Sequence, residues 1–449
     1  MNVLRRVPRR LIQLTCFVGA IVLAWPLVPW SIAPRFFQEI SPFVTLSSII
    51  AARSIGVGAV LALVVAVVSS FKKRWFCLYL CPTGFLLENS SRFGMRKNQW
   101  WSKCPPIGRY VAILTIAGAI VGYPVLLWMD PLCIFSSPFA LTKATNVYSV
   151  ILVCLGLGFL VGATFVIGML WCVRICPLSG LQDMLYLSRK ALWSKLTAGA
   201  RNQKPAEQVL GRRSAGPDAP LVQIAGVSAL AARSSRKEPA NRLVARSTRG
   251  FNAARRVFFA GGAGALLALW ARRSGAARYR AANTLLRPPG AVPEDRFAGL
   301  CIRCNNCTHA CPSKIIHPDT GHEAGLAGFG APVIKYDRNY HYCLETCNAC
   351  SQVCPTGALT ALAMPEKKKY VIGEAIVDDN LCLLVLGKKE CDACELACPY
   401  DAIKIKWDAD QFISYPGIDL NKCNGCGACQ VVCPTNPTKA IRVWTLKPS

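Results

Sequence analysis

The chain has 449 residues, 53% of them hydrophobic, with 24 cysteines and a formal net charge of +28 at pH 7. The excess charge lies wholly in residues 1–290, which hold 36 Lys/Arg against 7 Asp/Glu, whereas residues 291–449 hold 16 against 17. The four histidines, His309, His317, His322 and His341, all lie in the second half and no Cys-x-x-Cys-His occurs, so the spacing predicts no haem, bis-histidine or c-type, and leaves redox chemistry to cysteine.

In chain order, four apolar stretches come first, over residues 11–30, 49–71, 110–129 and 148–171. Each matches the roughly 20 residues of helix that cross a bilayer. Their flanks are asymmetric: Arg5, Arg6, Arg9 and Arg10 precede the first, and residues 71–109 carry +7, against +1 for residues 31–53 and 0 for residues 130–147. By the positive-inside rule this predicts four spans of the cytoplasmic (inner) membrane with both ends inside, a multi-pass protein. Gly118 with Gly122, and Gly158 with Gly162, have the spacing that lets membrane helices approach closely. Arg53, inside an apolar stretch, reads as snorkelling to the outer surface or facing a headgroup or quinone.

The second and fourth stretches end in related motifs, FCLYLCP with Cys77 and Cys81, and WCVRICP with Cys172 and Cys176. Both are C-x3-C-P, and four thiols at equivalent ends of two helices could converge on a further metal centre or form a thiol/disulfide pair. Cys16, Cys104, Cys133 and Cys154 lack partners at ligand spacing and read as ordinary buried or interfacial residues.

Residues 1–190 then form a four-helix transmembrane domain, followed over 191–254 by a basic segment rich in Ala, Ser, Gly and Pro that reads as a flexible cytoplasmic linker. Its charge lacks aromatic interleaving or a binding motif, which favours anionic lipid over nucleic acid as its neighbour. Residues 255–272 pair Arg255-Arg256 with a short apolar core and Arg272-Arg273, the pattern of a twin-arginine signal kept as an anchor helix. Export would put residues 290–449 in the periplasm; a fifth helix with a cytoplasmic C-terminus is the alternative.

Residues 290–449 carry the most specific signal. Cys301, Cys304, Cys307 and Cys311 precede Pro312 as C-x2-C-x2-C-x3-C-P, and Cys423, Cys426, Cys429 and Cys433 before Pro434 repeat it. Between them lie Cys343, Cys347, Cys350 and Cys354 before Pro355, and Cys382, Cys391, Cys394 and Cys398 before Pro399, with a longer first gap. Zinc sites use two pairs separated by a longer loop. A close trio with a fourth cysteine before proline instead holds a 4Fe-4S cube, the fourth thiolate reaching the partner cube. Pairing neighbours predicts four clusters, held by Cys301, Cys304, Cys307 with Cys354; Cys343, Cys347, Cys350 with Cys311; Cys382, Cys391, Cys394 with Cys433; and Cys423, Cys426, Cys429 with Cys398. Lys367, Lys368, Lys369, Lys388 and Lys389 read as a solvated surface, or as a means of tuning potentials or docking an acidic partner.

With FCLYLCPTG, MDPLCIF and WCVRICPLSG in view, residues 1 to about 190 resemble the NapH/MauN type of membrane ferredoxin-like protein. Residues 250–449, with the twin arginine and the four cysteine runs, resemble the NapG/MauM type of four-cluster ferredoxin. The resemblance implies an α-helical membrane bundle, four helices plus a short fifth anchor, followed by an α+β ferredoxin-like domain with tandem two-cluster modules. It further implies electron transfer from membrane quinol, directly or through a quinol-oxidising subunit, to a periplasmic redox enzyme or cytochrome. The alternatives are an accessory factor in maturation of such an enzyme and a cytoplasm-facing conduit. No catalytic acid, base or nucleophile stands out.

Overall fold

The computed structural model describes residues 6–24, 33–53, 56, 58–94, 104–140, 147–202, 240–273, 285–321, 323–336, 341–410 and 412–445. Residues 203–239, the middle of the expected linker, lie outside them.

The first half is helical: α1 (Arg6–Ala24), α2 (Ala33–Glu39), α3 (Pro42–Ala52), α4 (Ala59–Phe71), α5 (Trp75–Tyr79), α6 (Pro82–Arg92), α7 (Ile107–Ile120), α8 (Pro131–Ala140), α9 (Val147–Ile167), α10 (Pro177–Asn202) and α11 (Ala240–Arg273). Local chemistry sets several boundaries. Ser41 caps α3, its hydroxyl accepting from Val44 N, and Pro42 supplies the helical first residue. Cys81 caps α6 in the same way before Pro82. Arg53 takes a left-handed conformation (φ 55°) that ends α3, and Gly122 (φ 89°) and Gly168 (φ 81°) follow α7 and α9.

These breaks overturn the four-span bundle. The second apolar stretch is divided at Arg53 between α3 and α4, and the 13 residues of α4 reach only about 20 Å, short of the ~30 Å hydrocarbon core. The 14 residues of α7 reach about 21 Å. Among the described residues no helix is long and apolar enough to cross a membrane, so the expected bundle and multi-pass inner-membrane placement are not supported. The predicted topology also separates residues 71–109 from residues 130–147 by a bilayer. In the fold they touch: Thr83 Oγ1 donates to Pro131 O at 2.7 Å. Arg53 is the residue that terminates α3. Gly158 and Gly162 meet nothing that a Cβ would touch, whereas Gly264 of α11 abuts Leu114 of α7. The close helix pair is therefore α7 with α11, and the twin arginines Arg255 and Arg256 lie exposed within α11. Helix also extends into both ends of the expected linker, through Asn202 and from Ala240.

The helical core gathers Phe43, Phe76, Leu127, Phe135 and Leu178, with the Phe17 ring set at a tilt against Phe85 (5.0 Å) and Phe135 (5.8 Å). Only one face of each outer helix is covered; Val60, Leu63 and Phe71 of α4 stay exposed.

The second half is α+β, and its described residues form three antiparallel two-stranded sheets. β1 (Ile316–Pro318) pairs with β2 (Pro332–Ile334), β3 (Glu374–Val377) with β6 (Ile441–Trp444), and β4 (Ile403–Asp408) with β5 (Ile413–Ile418). Four short helices, Asn306–Ala310, Ala349–Gln352, Ala393–Leu396 and Ala428–Val432, each carry the third cysteine of one run. In the first run Arg303 (φ 59°) and Asn305 (φ 60°) flank Cys304; in the last, Gly425 (φ 71°) and Gly427 (φ 84°) flank Cys426. Equal spacing thus produces the same left-handed loop twice.

The halves dock along a buried polar seam. Asn306 Nδ2 donates to Gln38 Oε1 (3.1 Å) and Gln38 Nε2 to Ser136 Oγ (2.9 Å). Asn305 Nδ2 donates to Ser137 Oγ (3.0 Å), Arg35 to Gln352 O (3.1 Å) and Arg296 to Ala51 O (2.6 Å). Each buried amide nitrogen of Gln38, Asn305 and Asn306 thereby gains an acceptor.

Candidate iron-sulfur centres

The sixteen clustered cysteines line four separate cavities. Cys301, Cys304, Cys307 and Cys354 surround one, and Cys311, Cys343, Cys347 and Cys350 a second. Cys382, Cys391, Cys394 and Cys433 surround the third, and Cys398, Cys423, Cys426 and Cys429 the fourth. In each the fourth sulfur comes from another run, because the short helix that carries the third cysteine of a run turns the following cysteine toward the neighbouring loop.

The cysteines before proline already receive hydrogen bonds. Leu359 N donates to Cys354 Sγ and Ala402 N to Cys398 Sγ, each at 3.3 Å, and Cys433 Sγ lies 3.2 Å from Thr435 Oγ1. Such donors favour a thiolate. Burial opposes it, pushing Cys301 up to about 11 and Cys426 up to about 12, with neighbouring sulfurs adding to the shift. Cys433 is the exception: burial raises it, but the Thr435 hydroxyl and the N–H groups of Thr435, Ile441 and Ala440 together hold it below its ordinary value. Where burial raises the thiol, as at Cys301 and Cys426, metal binding displaces its proton.

Among the described residues no group of three or more His, Cys, Asp or Glu is placed to hold a single metal ion. One ion with bonds of about 2.3 Å draws its sulfurs to roughly 3.8 Å from one another. A four-iron cube spreads its thiolates over its outer corners, and the sulfur-lined cavities suit it better.

The cavities are also ordered in space. Cys343 N donates to Cys426 O at 2.9 Å, linking the second cavity to the fourth. Tyr336 is wedged between them, its hydroxyl donating to Gly425 O (2.6 Å) and its ring against Gly427. Lys367 does not lie on a solvated surface; it is 1% exposed, donates to Leu344 O and places its charge beside Cys343, while Lys368 and Lys369 are exposed. At the seam a cavity of about 390 Å³ lies between Arg35, Glu39, Ser48, Arg296 and Cys354; Glu39 is buried and its Oε2 has no hydrogen-bond partner.

In the helical half Cys77, Cys81, Cys172 and Cys176 come together as electrostatic neighbours, although the two motifs lie some ninety residues apart. Cys133 was missed by spacing alone. It is buried near Asp130, Cys304 and Cys301, and no local pattern announces partners so distant in sequence. Cys154 is exposed and Cys16 and Cys104 are half-buried, without such partners among the described residues.

The comparisons with known proteins agree with this geometry. A 4Fe-4S dicluster domain model matches residues 300–358 and 389–436, and a 4Fe-4S binding domain model matches 55–99, 150–195 and 350–370. The methylamine utilization ferredoxin-type protein MauM of Methylophilus methylotrophus is 32% identical over 188 residues, covering 40% of this chain and 79% of that protein. The chain belongs to the MauM/NapG family of ferredoxin-type proteins. Within it, MauM of Methylobacillus flagellatus is 34% identical over 36% of this chain and 69% of its own length. Ferredoxin-type protein NapG of Escherichia coli K12 is 33% identical over 34% and 68% respectively. No solved structure matches. Family membership makes this an iron-sulfur protein of the electron-transfer class, and the likeness to these relatives covers only part of the chain. The helical half is reached through the 4Fe-4S binding domain model.

Proposed function

We propose that residues 290–449 hold four 4Fe-4S clusters, one in each sulfur-lined cavity, and pass single electrons among them to a redox partner protein. The observation that carries this reading is that each cavity is closed by four cysteines drawn from two sequence runs. A cube ligated in this way supplies a one-electron carrier. The residues around it exclude water and, through Leu359 N, Ala402 N and Thr435, donate to the sulfurs.

The Cys343–Cys426 hydrogen bond and Tyr336 support a linear order: the Cys301 centre, the Cys343 centre, the Cys423 centre and the Cys382 centre. The seam cavity touches Cys354 and gives a small reductant access to the first of these. Quinol as donor and a periplasmic enzyme as acceptor come from the family resemblance alone, and the relay requires neither.

Anaerobic purification followed by iron analysis tests the reading. The sixteen cysteines should account for about 16 iron atoms, four per cluster. Cys354→Ser should remove or convert the cluster of the first run, and Cys311→Ser that of the second. A zinc-loaded protein that takes up no iron on anaerobic reconstitution would overturn the proposal.

A further inference from the structure

The four remaining clustered thiols form a site of their own. Cys77 lies in α5, Cys81 caps α6, Cys172 sits in a π-helical turn (Trp171–Ile175) and Cys176 directly precedes α10. Each C-x3-C-P motif uses its proline to start a helix, which leaves the cysteine before it at a helix N-terminus, where N–H groups are unsatisfied. Gly84 N donates to Cys81 Sγ at 3.3 Å, and Ser179 N plays the same part for Cys176. Gln182 Nε2 donates to Cys77 Sγ at 3.2 Å. Arg74 lies beside Cys77 and Cys176, fixed by Asp183 at 2.6 and 2.9 Å and by Val173 O. Two chain segments therefore converge four buried or half-buried thiols and surround them with hydrogen-bond donors and one cation.

None of the four is paired in a disulfide, and they are not placed around a single ion. They share both features with the four sulfur-lined cavities of the second half. The 4Fe-4S binding domain model spans one motif in residues 55–99 and the other in 150–195.

We infer that Cys77, Cys81, Cys172 and Cys176 bind a fifth 4Fe-4S cluster, located at the end of the relay next to the Cys301 centre. The same hydrophobic core contains Cys81, Cys176, Cys133, Ile302 and Cys304, so the path between the two centres is packed protein. Along it Asp130 neighbours both Cys81 and Cys133, and Cys133 neighbours Cys304 and Cys301. Transfer along this path oxidises one reduced cube by one electron and reduces the other by one, with no bond made or broken. The inference relies on the relay proposed above only for its electron acceptor.

Iron analysis of the full chain, purified anaerobically, separates the two claims. The wild type should hold about 20 iron atoms, and the variant with all four of these cysteines replaced by serine about 16, with the signals of the other clusters retained. If that variant fails to fold, Cys172→Ser alone should remove or convert one cluster, read as the loss of one electron paramagnetic resonance signal after reduction. About 16 iron atoms in the wild type, one zinc per chain at this site, or a native disulfide among the four thiols would overturn the inference. A wild type holding only about four iron atoms, all lost on replacing these cysteines, would sustain it while defeating the four-cluster reading.

Discussion

Asn306 and Gln38 are 268 residues apart in sequence, and the side-chain amide of one donates to the carboxamide oxygen of the other at 3.1 Å within a buried seam. Asn306 immediately precedes Cys307, and Gln38 is 0% exposed in α2, so this bond ties a cluster loop directly to the helical half. Leaving either amide unpartnered costs about 1–3 kcal/mol. Gln38→Ala and Asn306→Ala should each lower the unfolding temperature, and the double variant should lose less than the sum of the two, as a thermal double-mutant cycle would show.

Lys367 places a buried positive charge beside Cys343. Adding an electron to a cube makes it more negative, and the ammonium favours that state. Lys367→Gln should therefore shift the potential of the Cys343 centre downward by tens of millivolts, about 59 mV for each tenfold change in the one-electron equilibrium. Redox titration by electron paramagnetic resonance reads the shift, and Lys368→Gln, at an exposed position, is the control.

Asp130 is fully buried, and burial raises its carboxyl from an ordinary 3.8 to about 6, against the opposing hydrogen bonds from Ser41 Oγ (2.6 Å) and Leu132 N (2.9 Å). A carboxyl whose folded-state value is raised binds its proton more tightly when folded. Stability should accordingly fall as pH rises between about 4 and 6 and level off above. Asp130→Asn should flatten this slope and be at least as stable as the wild type at pH 7, as thermal unfolding measured across that range would reveal.

Gly427 has φ 84° and its Cα hydrogen faces the Tyr336 ring. Gly427→Ala would impose a left-handed alanine and push the tyrosine away, at a cost of roughly 1–3 kcal/mol. Tyr336→Phe removes only the hydroxyl bond to Gly425, about 1 kcal/mol. The alanine variant should lose iron from the Cys423 centre faster than the phenylalanine variant does under chelator challenge.

The cysteine runs were legible in the sequence because the trio and the proline after the fourth cysteine act over a dozen residues, within one loop and one short helix. The division at residue 290 showed in the charge for a similar reason, since composition survives any folding. Spacing could not reveal Cys133, whose neighbours Cys301 and Cys304 come from the other half, or the burial of Lys367 within a run of three lysines.

The apolar stretches show where local reading ends. A run of hydrophobic residues looks the same to a periodicity argument whether it crosses a bilayer or lines a core, and the backbone at Arg53, Gly122 and Gly168 decides where the helices of the second, third and fourth stretches stop. The sequence by itself determined which cysteines form short-range groups, because ligand spacing is a property of neighbouring residues. The tertiary structure decided how the two halves meet at Asn306 and Gln38 and that Thr83 lies against Pro131, because these contacts depend on packing between segments whose separation along the chain carries no trace of it.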